Sequence, residues 1–276
     1  MQLYLLGTGT CANQLTKNGK KIKNRFPPGY VLDWGENKIL FEVSEGIRFR
    51  LEKAGFDYAD FENIAISHCH PDHYNFMPYL QSVYCKGLWD QKGKQYEKLK
   101  IQILCPNQVA ESYRKIFKLL VLEIKKNHYD FPEISFTKLG KMKFKTKIGR
   151  AQITVQEVHH GFGKVETLAF RVKVDNKIFA YSADTGDCQG IRKICKNADL
   201  FLCEASALIG QDKACRNYGH LTPYLAGKIA KESKVKKLLL THYIGLDSES
   251  SMLKDCQRSG FEGEVKVGKD FEKVKI

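Results

Sequence analysis

The sequence predicts an α/β sandwich, two sheets with helices outside. Two observations predict it. Apolar runs alternate with segments of helical period along the whole chain. The two halves also repeat one plan. YVLDWGENKILFEVSEG (residues 30–46) reads as a hairpin, then an acidic-glycine turn, and a helix follows; LAFRVKVDNKIFAYSADTG (168–186) has the same order. The likeness is one of pattern, not of residue identity, and it points to an internally duplicated sandwich. A length of 276 residues with 43% hydrophobic content suffices for a sizeable core. With no long linker and no low-complexity segment, residues 1–276 are read as a single domain.

Taken in order, the first strand is expected at 2–6. Strands at 30–34 and 38–43 pair across a turn at 33–37, and a helix follows at 47–54. The apolar run at 63–67 is a buried strand by composition, followed by a helix at 74–86 and a strand at 101–105. A long helix is expected at 108–126, where Val109, Tyr113, Phe117, Leu120, Val121 and Ile124 recur at helical spacing. Its Arg114, Lys115, Lys118, Lys125 and Lys126 form either a solvated basic face or a polyanion-binding one. KGLWDQKGKQYEKLK (86–100) is the most loop-like and most charged stretch. Strands at 153–158, 168–174, 177–182, 200–203, 237–241 and 264–267 follow, with helices at 189–196, 223–234 and 248–259. Asp175 and Asn176 mark a hairpin turn.

Composition narrows the function. No apolar run reaches the roughly 18 residues of a membrane span. The start, MQLYLLGTGT, has no basic n-region and reads as a strand rather than a signal peptide. Nine cysteines are scattered with no CxxC pair, which suits reduced thiols in a cytoplasmic protein. A net charge of +14 attracts polyanions.

The chemistry concentrates in HCHPDHY, residues 68–74, where three of the eight histidines crowd around Asp72. The segment follows the apolar run NIAIS, and Pro71 stops the strand, so the cluster lies at a carboxyl end, the edge of α/β sheets where ligands bind. His68 and His70 are two apart and share a face. Asp72 and His73 lie past the turn, near an expected helix start, and point elsewhere. One segment thus supplies two groups of ligands, which suits two adjacent metals. Comparable side chains end other apolar strands: His159 and His160 in VHHGFG, Asp184 in AYSADTG, His242 in LLLTHY. Each alone would pass for a capping or core residue; together with HxHxDH they would not. LGTGT at 6–10 lacks the lysine and spacing of a phosphate loop and is read as structural. Tyr74 and Tyr243, which directly follow candidate ligands, are read as pocket wall.

LLGTGT, ILFEVSEG, HCHPDHY, HHGFG, YSADTG and THY, in this order, resemble the metallo-β-lactamase superfamily over nearly the whole chain. FLCEAS and GHLTPYLAGKIAKESKVKKLLLTH are similar to its ribonuclease Z, arylsulfatase and phosphodiesterase branch. The resemblance implies an αββα four-layer sandwich and a hydrolase with two Zn2+ per chain, although the donor types also suit Mn2+ or Fe2+. It places His68, His70 and a downstream histidine on the first ion, Asp72, His73 and His242 on the second, and Asp184 on both. His159 and His160 face opposite ways on a strand, so only one points in. His160 is chosen, because in similar members the ligand often precedes a glycine or turn; His159 is the second choice. Two ions about 3.5–4 Å apart share a hydroxide that attacks the substrate and clamp a phosphoryl or carbonyl oxygen. Asp72 would orient or deprotonate that nucleophile. His220 would steady the transition-state oxygen or protonate the leaving group, with Glu204 as its partner.

The implied substrate is a phosphodiester, RNA or single-stranded DNA first, and relatives often dimerise, so a homodimer is expected. Two departures stand out. Bacterial-type ribonuclease Z carries a long tRNA arm between the third histidine and the bridging aspartate, and the 24 residues from His160 to Asp184 hold only a hairpin. FEVSEG also has Glu42 or Val43 where many relatives have aspartate. A lactone, β-lactam or thioester hydrolase is the alternative, since one β-lactamase subclass shares HxHxDH; those enzymes are exported and lack the bridging aspartate. A non-catalytic metal or nucleic-acid binding module would hold zinc without hydrolysis.

Overall fold

The computed structural model describes residues 1–12, 16–89, 100–125, 133–138 and 144–276. Among the described residues two seven-stranded sheets face each other. The first runs, edge to edge, through β16 (Lys273–Lys275), β1 (Gln2–Gly7), β4 (Gly29–Asp33), β5 (Lys38–Phe41), β6 (Asn63–Ala65), β7 (Lys100–Cys105) and β8 (Glu133–Lys138). The second runs through β15 (Glu264–Val267), β14 (Lys237–Thr241), β13 (Leu200–Glu204), β12 (Lys177–Tyr181), β11 (Thr167–Val174), β10 (Ala151–Val158) and β9 (Phe144–Ile148). In each sheet an antiparallel part, β16 to β5 or β9 to β12, is extended by parallel strands, β6 to β8 or β13 to β15. The repeated plan of the two halves is therefore a repeat of sheet topology. β2 (Thr16–Lys17) and β3 (Lys20–Lys21) form a small separate hairpin.

Strand composition follows from burial. LFLCE of β13 is buried at every position and KLLLT of β14 at four of five, because parallel strands are covered on both faces. The inner faces share one core, in which Leu3, Tyr30, Leu32 and Phe41 of the first sheet meet Phe170, Phe179, Tyr181 and Leu202 of the second. Phe41 lies 5.5 Å from Phe170 and 5.7 Å from Tyr181 in edge-to-face contact, the arrangement aromatic quadrupoles favour. Outside the first sheet pack α1 (Ile47–Lys53), α2 (Phe76–Trp89) and α3 (Asn107–Lys125), through Leu51, Leu80 and Val109 among others. Outside the second pack α4 (Gln189–Cys195), α6 (Pro223–Glu232) and α7 (Glu249–Gln257), through Ile191, Ile229 and Met252. α5 (Cys215–Tyr218) is a single turn. The layers are αββα. No helix among the described residues is long and apolar enough to cross a membrane, and the nine cysteines are unpaired.

Several elements differ from expectation. β5 stops at Phe41 because Glu42 turns left-handed, φ 62°. α2 starts at Phe76, not near His73, because Tyr74 forms a parallel bridge with Val43: Val43 N donates to His73 O (3.0 Å) and Asn75 N to Val43 O (2.6 Å). Residues 86–89 of the expected loop finish α2, while 90–99 lie outside the described residues. So do Lys126 and the side chains of Leu120, Val121, Ile124 and Lys125. β8, β9, β16, the β2–β3 hairpin and α5 were not anticipated. EISFTK and FKTKI carry too few apolar residues to mark strands on their own, and pairing with β7 and β10 makes them so.

Candidate metal centre

Six strand ends meet at one rim of the sandwich. β5 and β6 are parallel, as are β12, β13 and β14, and β10 runs the same way as β12 because one antiparallel strand separates them. Their carboxyl ends deliver Glu42, residues 68–73, His160, Asp184, Glu204 and His242. Three of these ends leave the strand through left-handed backbone at non-glycine residues: Glu42 (φ 62°), Ala183 (φ 54°) and His242 (φ 52°). Such residues cost roughly 1–3 kcal/mol each and collect at functional sites.

The side chains form two groups. In the first, His70 Nδ1 stands 3.0 Å from His68 Nε2 and 3.2 Å from His160 Nε2, and Asp184 Oδ2 is 3.9 and 3.8 Å from the latter two. In the second, His242 Nε2 is 3.2 Å from His73 Nε2 and 3.4 Å from Asp72 Oδ2. Asp184 Oδ1 is 3.4 Å from both His73 Nε2 and His242 Nδ1, so one carboxylate turns an oxygen to each group. His160, not His159, joins the cluster. The His159 ring lies against the backbone of Gly163 and Gly186 instead.

Three of the five imidazoles are aimed from behind. A carbonyl can only accept, so His160 Nδ1 donates to Gly219 O (3.0 Å) and Nε2 keeps its lone pair for the centre. His68 Nδ1 is 2.9 Å from Ser67 Oγ. His73 Nδ1 faces Glu42 Oε1 at 3.5 Å, and Glu42 is anchored by Tyr181 Oη (2.9 Å) and Ser67 N (3.1 Å). Sequence reasoning missed Ser67 and the Gly219 carbonyl and met Glu42 only as a departure. The signal for Glu42 was present: it ends an apolar strand, as the other acidic candidates do. A backbone carbonyl leaves no mark in a sequence.

The donors fit metal ions. Adjacent nitrogens on a tetrahedron with ~2.0–2.1 Å zinc bonds lie roughly 3.3 Å apart; the observed 3.0–3.2 Å is close to that spacing. Asp184 Oδ1 and His242 Nδ1, 3.4 Å apart, are buried with no hydrogen-bond partner, an expensive state that a cation bound beside the carboxylate would relieve. Burial, together with the charge of His73, pushes His68 well below its ordinary pKa, toward the neutral form that ligates. Burial opposes ionisation of Asp184, yet His242 and His73 hold its carboxyl well below the usual range. Burial likewise opposes charge on His73, and the carboxylates of Asp184 and Glu42 nonetheless raise it well above its ordinary value. Three acidic groups thus demand positive charge here.

Beside the centre opens a cleft of about 320 Å³, lined by Thr10, His70, Asp72, Asp184, Tyr218, His220 and His242 among others. Asp72 is opposed by burial but held down to about 2 by its hydrogen bond to His242 and the charges of His73 and His242, so it is an acceptor at neutral pH. His220 Nδ1 donates to Glu204 Oε1 at 2.9 Å. Burial lowers the pKa of His220, but the Glu204 charge and hydrogen bond outweigh it and raise it to about 9. Glu204 is itself held by Thr185 N, Ser206 N and Ser206 Oγ at 2.8–3.0 Å. Of the aromatic pair read as pocket wall, neither Tyr74 nor Tyr243 lines this cleft.

Residues 38–243 match the family model described as the beta-lactamase superfamily domain. Over its full length the chain is 24% identical to ribonuclease Z of Thermobifida fusca, covering 94% of that protein. It superposes on the metallo-beta-lactamase fold protein YhfI from Bacillus subtilis with a TM-score of 0.79 and 22% identity, covering 99% of this chain and 98% of that one. Human tRNase Z, short form, gives a TM-score of 0.71 and 20% identity, with 100% and 99% covered.

Proposed function

The chain belongs to the metallo-β-lactamase superfamily, and from that premise we propose that it is a two-zinc phosphodiesterase resembling ribonuclease Z, with nucleic acid as first substrate class. The observation that carries this reading is the shared carboxylate of Asp184 between two groups of donors, beside a cleft that also presents His220. His68, His70 and His160 would hold one ion, Asp72, His73 and His242 the other, and Asp184 both. Bound there, such ions supply Lewis acidity for a phosphoryl oxygen and lower the pKa of water.

The chain's own residues do the rest. Ionised Asp72 accepts a hydrogen bond from the attacking water and orients it. His220, charged at neutral pH and pinned through Nδ1 by Glu204, offers Nε2–H to the departing oxygen. Glu204 is a positioning residue. Between His160 and Asp184 the chain holds a 3-10 turn (Gly161–Gly163) and the β11–β12 hairpin, with no room for a long tRNA arm, which favours small or single-stranded substrates. One domain over residues 1–276 and a cytoplasmic place of action, expected from the sequence, and a homodimer, expected from the resemblance, accompany this reading as proposals.

The test is hydrolysis of bis-p-nitrophenyl phosphate beside a chromogenic β-lactam by zinc-loaded protein. Phosphodiester turnover is expected, falling at least ~100-fold in Asp72→Ala with the circular dichroism unchanged. A near-wild-type rate in that variant would sink the mechanism. Turnover of the lactam alone would transfer the assignment to lactone-type hydrolysis. Zinc bound with no turnover of either substrate would favour a binding module.

A further inference from the structure

An exposed aromatic pair stands at the rim of the cleft, and the catalytic reading does not use it. Phe162 and Tyr218 meet edge to face, with ring centroids 5.1 Å apart and planes at 76°. They are 61% and 54% exposed, so each keeps an open ring surface. Tyr218 also lines the cleft that holds His70, Asp72 and His220. The pair joins two segments of the centre: Phe162 lies two residues after His160, and Tyr218 two before His220, with Gly219 O accepting from His160 Nδ1 between them.

The backbone shows that this placement is costly. Gly161, Phe162 and Gly163 are all left-handed, at φ 56°, 56° and 72°. Glycine accepts that conformation; a bulky side chain pays a penalty, and Phe162 gains no burial in return. A strained residue holding an exposed ring beside a reactive centre is a feature that solvent alone does not explain. Lys164, two residues after Phe162, and Lys213 and Arg216, five and two before Tyr218, are exposed and form no ion pair among the described residues. Flat open rings combined with unpaired cations are what single-stranded nucleic acid requires, since bases stack on rings while cations follow the phosphates.

We propose that Phe162 and Tyr218 form a stacking platform for the nucleobase next to the scissile phosphate. The inference rests on the phosphodiesterase reading and deepens it by assigning where the base sits. A volume of about 320 Å³ is at the small end of ligand sites, so the cleft takes the phosphate and its nearest sugar while the base rests on the rim.

The test uses the full zinc-loaded chain and 2-aminopurine riboside 5′-monophosphate, a monoester whose fluorescence is quenched when its base stacks. Saturable quenching is expected. Phe162→Asn, which tolerates the left-handed backbone, and Tyr218→Ala should each raise Kd about 5- to 150-fold, the equivalent of ~1–3 kcal/mol per stacked base. Tyr218→Phe keeps the ring and should bind as wild type. Ribose 5-phosphate, lacking a base, should compete equally weakly against all variants. No quenching, or quenching unchanged in both ring-removing variants, overturns the platform. So does equal loss of ribose 5-phosphate binding, which would mean that the loop collapsed rather than that a ring was lost. Stronger competition by a phosphorothioate-linked triadenylate than by adenosine monophosphate supports the platform with a strand as its source; the reverse order supports it with a free nucleotide ester. Bis-p-nitrophenyl phosphate turnover reads the parent function separately. Quenching without turnover leaves base stacking but removes the scissile phosphate and so overturns the placement along with the parent function, whereas turnover without quenching overturns the platform alone.

Discussion

Gly219 governs where His160 points. Its carbonyl accepts the hydrogen bond from His160 Nδ1–H, and its backbone is left-handed at φ 80°. A Cβ here would lie 2.5 Å from His160 Cα and 2.6 Å from His159 O, so the two segments could not keep their distance. Gly219→Ala is therefore expected to cost roughly 1–3 kcal/mol in urea unfolding and to weaken zinc retention in equilibrium dialysis. Stability and zinc content equal to wild type would show that the segments yield without disturbing the donors. Glu42 acts in the same manner from the opposite sheet. Fully buried and anchored at both oxygens, it fixes the side from which His73 is approached.

At the scale of elements, the centre depends on parallel strands ending level with one another. Asp199 helps set that level in the second sheet. It stands at the entrance to β13, accepts from Ile178 N of β12 (2.8 Å), and pairs with Lys236 Nζ at the entrance to β14 (2.8 Å). Burial would raise its pKa, but the Lys236 and Ile178 hydrogen bonds hold it below the ordinary range. A folded pKa below the unfolded value of about 3.9 gives stability that is complete at neutral pH and lost as pH falls through the folded value. Asp199→Asn should thus cost on the order of 1 kcal/mol at pH 7 and progressively less below about pH 4. Denaturant titrations at the two pH values check this, and a gap that persists undiminished at low pH would assign the role to packing rather than charge.

For the whole molecule, the centre is the place where two sheets with separate outer cores are joined by charge. Asp184 and His242 belong to one sheet, and His68, His70, Asp72 and His73 to the other. Under the two-zinc proposal, zinc at about 100 times its Kd would add ~2.7 kcal/mol to folding by binding linkage. For a chain of this size that corresponds to roughly 5 °C or more in Tm. Chelation should lower the melting temperature by that amount and zinc should restore it. An unchanged Tm after verified metal removal would show that the imidazoles and carboxylates balance one another without an ion.

How much of this could be read from the chain depends on the range of the physics. Alternation and helical period are local, so eleven of the sixteen strands among the described residues, the outer helices and the strand-ending candidates His68, His70, Asp72, His73, Asp184 and His242 were legible from their own neighbourhoods. HCHPDHY marks a site because its crowding is visible within one turn of chain. Strand pairing is not local. β16 pairs Lys275 with Gln2, at opposite ends of the chain, and no short window contains that fact. The Gly219 carbonyl behind His160 and the left-handed exits at Glu42, Ala183 and His242 were likewise decided by tertiary structure. The choice of His160 over His159 and the two-way carboxylate of Asp184 were expected only from the resemblance, and their geometry is tertiary. Each depends on side chains far apart in sequence, such as His73 and His242, 169 residues apart and 3.2 Å from one another. Packing the two sheets face to face is what closes that gap.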